Sequence, residues 1–201
     1  MMITVSREFG AGGSLLAARV AETLGWKLVD NQLVDEVARR AGLSADVVKE
    51  REERGPTFVD RLARALAAGS PELLGRASEV PELAEARQRR ITEQVVADLA
   101  SDHVVLVGRA ASAVIGRQQD ALHVKLVAAV EFRVQVVADR FGIPPDEARR
   151  QIRDVDAHRA RYHRQYYHRD WNDPCHYHLV LNVGWLGLDR AAQLVVDAVN
   201  R

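Results

Sequence analysis

The sequence predicts an α/β fold in which a parallel sheet is covered on both faces by helices. Two observations carry this. Short Val/Leu/Ile-rich runs alternate with stretches of helical periodicity along the chain, and the runs are apolar throughout, as in strands buried on both sides. In addition, the first run ends at a glycine-rich turn that opens directly into a helix.

Residues 2–6, MITVS, form the first strand. Residues 14–24 follow as a helix, with Leu15, Ala18, Val20 and Leu24 on one face and Gly25 as the stop. A short strand at 27–29 ends at Asp30, and helices are expected over 31–41 and 44–53, the second capped by Ser44. Residues 54–81 are interrupted by glycines and prolines and read as an irregular helical insertion. An amphipathic helix over 82–100 precedes the strand HVVLV at 103–107. A strand at 122–127 and a helix at 129–141 come next, and Pro144 and Pro145 open a helix over 145–162. Residues 163–177 read as an aromatic, basic loop, before a strand at 179–183 and a closing helix at 187–200. No repeat or second core is visible, so residues 1–201 read as one domain.

Composition narrows the function. Lys plus Arg equals Asp plus Glu at 28 each, so no global charge attracts nucleic acid or an anionic membrane, and any anion site must be local. No apolar run reaches the roughly 20 residues of a membrane span. The chain starts straight into a strand without a signal-like segment, and Cys175 is its one cysteine; both point to the cytoplasm.

The chemistry starts at SREFGAGGS. Glycines allow successive backbone N–H groups to turn inward at the positive end of the following helix, where an anion gains hydrogen bonds and the helix dipole together. The standard phosphate loop is G-x-x-x-x-G-K-[ST]. The matching stretch here is Arg7, Glu8, Phe9, Gly10, Ala11, Gly12, Gly13, Ser14, with Arg7 in place of the first glycine and Gly13 in place of the lysine. Ser14 is either a plain N-cap or a hydroxyl ligand for Mg²⁺ on a bound triphosphate.

A wider pattern adds to the loop. REFGAGG after the first strand, VGRAA after a central strand, Asp156-x-x-Arg159 in a late helix and a final strand before a closing helix occur in that order. Together they resemble the cytidylate kinase-like family of P-loop nucleoside monophosphate kinase folds over essentially the whole chain. The resemblance implies a three-layer fold with a central five-stranded parallel sheet, ATP on the loop, and a helical lid over about 145–175. It also implies that Arg109, in VGR, meets the acceptor phosphate, and that Asp156 and Arg159 contact the acceptor nucleoside or the phosphates. Read without the family, Arg109 could equally be a surface arginine at a strand end. In the helix, Arg153, Asp156 and Arg159 are spaced by three, so Asp156 can orient both guanidinium groups; a solvated ion-paired face has the same spacing.

The expected activity is ATP- and Mg²⁺-dependent phosphoryl transfer to CMP or a related small acceptor. Phosphoryl transfer depends on positive charge around the transferred group. With the loop lysine absent, that charge is expected from Arg7, Arg109, Arg153, Arg159 and Arg161. A second departure is Val107, where cytidylate kinases carry an acid before the GR pair; Asp30 either supplies part of that acidic role or caps the helix after it. These departures favour the alternative, a nucleotide-binding regulatory protein that keeps the fold without turnover.

Other clusters carry less. Cys175, His176 and His178 lack zinc-site spacing. RARYHRQYYHRDW mixes cations with aromatics, as single-strand nucleic-acid binders do, but a lid segment or a homodimer contact explains it with fewer assumptions.

Overall fold

A computed structural model of the chain describes residues 1–30, 93, 103–108, 110–116 and 120–200. The chain divides into two compact units, Met1–Leu28 with His103–Arg201, and Val29–Asp102. Nearly all described residues belong to the first unit. The helices expected over 31–41, 44–53 and 82–100, and the insertion at 54–81, lie outside the described residues, apart from Glu93, which is helical and exposed.

Strand β1 (Met2–Arg7) leads through the glycine turn into helix α1 (Gly13–Leu24). Next come β2 (Lys27–Val29), β3 (Val104–Val107), a short helix α2 (Ala111–Ile115) and β4 (Ala121–Val127). Helices α3 (Val130–Phe141) and α4 (Pro145–Tyr167) follow, and the chain closes with β5 (Leu179–Asn182), α5 (Val183–Leu186) and α6 (Leu188–Val199). The strands form one five-stranded sheet in the order β2-β3-β1-β4-β5, with parallel pairing of β1 to β3 and β4 and of β4 to β5.

Successive strand residues face opposite sides of a sheet. On one side Ile3, Val5, Val105, Val107, Val124, Leu126 and Leu181 pack with Leu16, Val20, Ala191 and Val195 of α1 and α6 to form the main core. On the other side, Thr4 is in register with His123 and Ser6 with Lys125. Thr4, His123 and Lys125 are buried, so this face carries a polar column where an all-apolar layer was expected. A second small core of Val134, Val137, Ala138, Ala148 and Ile152 joins α3 to α4.

Three local expectations are corrected. The buried stripe of α1 is Gly13, Leu16, Ala17, Val20 and Ala21, whereas Leu15 and Ala18 are exposed. Helix α4 runs five residues beyond 162, to Tyr167, because Tyr162 and His163 continue the buried face begun by Ala148 and Ile152. The strand expected over 179–183 ends at Asn182, and Val183–Leu186 form the short extra helix α5, which Gly187 (φ 74°) separates from the closing helix α6.

Candidate active site

The loop between β1 and α1 is shaped by two left-handed glycines, Gly10 (φ 86°) and Gly12 (φ 72°). A Cβ on Gly10 would come within 3.0 Å of the Arg133 carbonyl oxygen, and one on Gly12 within 2.9 Å of Leu188. A side chain at Gly10 would press on backbone and one at Gly12 would displace Leu188, and L-residues rarely adopt this backbone at either position. Gly12 then caps α1, whose first N–H groups have no intrahelical acceptor.

Not every expected donor is available to a ligand. The Phe9 N–H donates to Asp156 Oδ1 (2.9 Å) and the Ala11 N–H to the Glu8 carbonyl (3.1 Å). The N–H groups of Gly10, Gly12, Gly13 and Ser14 have no partner among the described residues, which leaves these four as the candidate cradle for an anion. The Ser14 side chain, at the first turn of α1, is exposed.

Asp156 ties α4 to this loop. Besides Phe9, its carboxylate accepts from Arg133 Nη1 (2.6 Å) and Arg159 Nη1 (3.3 Å). Arg159 also donates to the Arg7 carbonyl (2.8 Å). Arg133, buried at the start of α3, donates through Nε to Ala128 O and through Nη1 to Phe9 O, and lies 3.4 Å from Glu8. Glu8 in turn accepts from the Ala128 N–H (3.0 Å). The expected triplet is therefore revised: Asp156 pairs with Arg159 and Arg133, while Arg153 is exposed on α4 and makes no ion pair among the described residues. Sequence spacing could not reveal Arg133, because its link to Asp156 spans two helices.

The two departures from the standard loop motif prove to be neighbours. A Cβ on Gly13 would fall 2.6 Å from Arg7 Cγ, so the arginine stem fills the space that a side chain at position 13 would enter. The same side chain runs on to Gly108, where Arg7 Nη1 occupies the place of a Cβ. Gly108 has φ 76° and Ala110 has φ 51°, a strained turn for an alanine, directly after β3. Arg109 lies between them and outside the described residues. The helix expected after Asp30 also begins outside them. Val107 is buried at the end of β3.

The polar face of the sheet was missed, although polar residues two apart in an apolar strand, His123 and Lys125, were its visible signal. His123 accepts from Thr4 or donates to it through Nδ1 (2.9 Å), contacts Gly116 O through Nε2 (2.9 Å) and stacks on His178. Burial lowers its pKa. The His178 Nδ1 accepts from the His123 N–H. Cys175 is exposed, and a cavity of about 410 Å³ beside it opens near the start of β4, away from the phosphate loop.

Residues 2–184 match the family model described as the cytidylate kinase-like family. The chain is 28% identical to a cytidylate kinase of Natronomonas pharaonis over 201 residues, covering all of this chain and 90% of that one. It is also 28% identical to one of Methanosphaerula palustris, covering 94% of each. A crystal structure of an uncharacterized protein from Eubacterium ventriosum superposes with a TM-score of 0.70 at 21% identity, covering 100% of this chain and 98% of that one. Shikimate kinase from Bacteroides thetaiotaomicron superposes at 0.52 with 13% identity, covering 100% and 99%; both structures bear on the fold alone. The chain belongs to the cytidylate kinase-like family, with the P-loop kinase fold and the reaction class of a nucleotide kinase.

Proposed function

We propose that this member of the cytidylate kinase-like family transfers the γ-phosphoryl group of ATP to CMP or a closely related nucleoside monophosphate in the cytoplasm. One observation carries the reading. The Arg7 side chain fills the space at Gly13 and reaches Gly108 just past the end of β3, and this supports its standing in for the absent lysine where donor and acceptor would meet.

In this account the N–H groups of Gly10, Gly12, Gly13 and Ser14 hold the β-phosphate, and the guanidinium of Arg7 lies toward the γ-phosphate. Phe9 and Ala11 shape the loop without donating to the ligand. Arg109 meets the acceptor phosphate. Arg159 and Asp156 hold the lid helix to the loop, which leaves exposed Arg153 as the lid cation able to reach developing charge. Mg²⁺ suits the site, since it keeps most of its waters and commonly takes one or two protein oxygens with the phosphates; Ser14 would be that oxygen. When bound, the ion would neutralise charge on the phosphates.

Mg·ATP bound to the loop raises thermal stability, by about 2.7 kcal/mol at a hundredfold excess over its dissociation constant. Gly12→Val removes that shift by obstructing the cradle. Absence of a shift in the wild type with millimolar nucleoside triphosphates would refute the reading.

A further inference from the structure

A cluster of cations on the polar face of the sheet lies beyond the phosphate loop and has no role in it. Lys125 is 2% exposed, and its Nζ donates to two neutral oxygens, Trp171 O (2.8 Å) and Asn172 Oδ1 (3.0 Å). It also sits 4.1 Å from the centre of the Trp171 ring. No carboxylate is within ion-pair distance of it among the described residues. Arg169 donates from Nη1 to Ser112 O (3.2 Å), and its Cζ lies 5.8 Å from the Tyr177 ring centre. Its Nε and Nη2 are buried and reach no acceptor at hydrogen-bond geometry, with the Tyr177 hydroxyl as the polar group close to the guanidinium. His163, 5% exposed and 6.4 Å from the Trp171 ring, likewise has a buried, unpartnered Nδ1.

Buried N–H groups left empty on a charged side chain are costly and rare, and an unfilled pair calls for a missing ligand. In a guanidinium, Nε–H and the adjacent Nη2–H point the same way. This side-on edge is a fork that grips two oxygens of one oxyanion. Two charges, the half-buried Arg169 and the buried Lys125, neither with a carboxylate at ion-pair distance among the described residues, match the double charge of a phosphate monoester better than the single charge of a carboxylate.

The cluster is also well placed. Ser112, which Arg169 holds, lies just past the strained turn at Gly108 and Ala110. The Trp171 indole donates to Ser6 Oγ (2.9 Å), one residue before Arg7. From this geometry we infer that Arg169 receives the phosphate of the acceptor, gripping it side-on through Nε and Nη2 with Lys125 as the second charge. The inference rests on the phosphotransferase reading and deepens it by naming the group that takes the acceptor's phosphate. A neutral alcohol would leave the fork empty.

The test uses the full chain and calorimetric titration with four probes: inorganic phosphate, CMP, cytidine, and a non-hydrolysable ATP analogue with Mg²⁺. Arg169→Ala weakens phosphate and CMP at least tenfold. Arg169→Lys, which keeps the charge and loses the fork, recovers only a minor part. Cytidine and the ATP analogue stay within twofold of wild type in both variants. Lys125→Gln weakens phosphate in the same direction, so the inference stands on a second variant should Arg169→Ala fail to fold. Unchanged CMP and phosphate affinity in the Arg169 variants, with the ATP analogue still bound, overturns the inference and leaves the functional reading intact. Acetate competing as well as phosphate overturns the choice of a dianion. Failure of the ATP analogue to bind wild type would instead strike the functional reading, and the phosphate titration still judges Arg169.

Discussion

Two single residues set the clearest stability tests. Burial, reinforced by Arg169, Lys125 and His176, lowers the His163 pKa from 6.5 to about 4. The unfolded chain therefore takes up this proton before the folded one does. Stability is full above pH 6.5 and is lost as the pH falls from there toward 4, by up to ~3 kcal/mol. His123, also depressed by burial, adds in the same direction. His163→Phe flattens part of the decline seen in urea melts between pH 7 and 4.5, taken in phosphate-free buffer; an unchanged slope would show that His163 is not held neutral. At the other residue, Arg133→Ala strands Asp156 and Glu8 without their buried partner and costs about 3–5 kcal/mol. A loss below about 1 kcal/mol, the scale of a surface pair, would show that the network is not structural. Asp156 stood out in the sequence as a candidate site residue, but its main partner Arg133 did not, since helical spacing reports only neighbours on one helix.

Among the elements, strand and loop positions were legible because β-branched runs and glycines encode them locally. The misread features were those that packing decides. The buried face of α1 is set by contact with α6, and α4 continues through an aromatic, basic stretch because Tyr162 and His163 still face inward. The loop shows the limit most plainly. Arg7 and Gly13 read as two separate losses from a motif, and only their proximity in the structure supports the proposal that one compensates for the other. This yields a direct experiment. Gly13→Lys alone forces the new stem into Arg7 and abolishes the ATP-induced thermal shift. The double change Arg7→Gly with Gly13→Lys rebuilds the standard motif and recovers binding and turnover. Arg7→Ala alone lowers turnover by on the order of 10³-fold, the scale seen when a transition-state cation is removed. Normal activity in Gly13→Lys with Arg7 in place would contradict the compensation.

At the scale of the whole molecule, balanced composition conceals a strongly local distribution of charge. The 28 cationic and 28 anionic residues cancel overall. Yet Arg7, Arg133 and Arg159 meet around the loop after β1, and Lys125 and Arg169 cluster with Trp171 and Tyr177 on the polar side of the sheet. The sheet class and the loop could be read from the sequence, whereas the polar sheet face required the register of β1 against β4. The acceptor decides the account as a whole. Incubating the full chain with γ-labelled ATP, Mg²⁺ and a panel of nucleoside monophosphates and neutral alcohols measures transfer itself. The account predicts label in a nucleoside diphosphate, strongest with CMP or a near relative, none in the alcohols, and none with Gly12→Val. Binding of ATP with no label transferred to any monophosphate would contradict it and favour a regulatory nucleotide-binding protein instead.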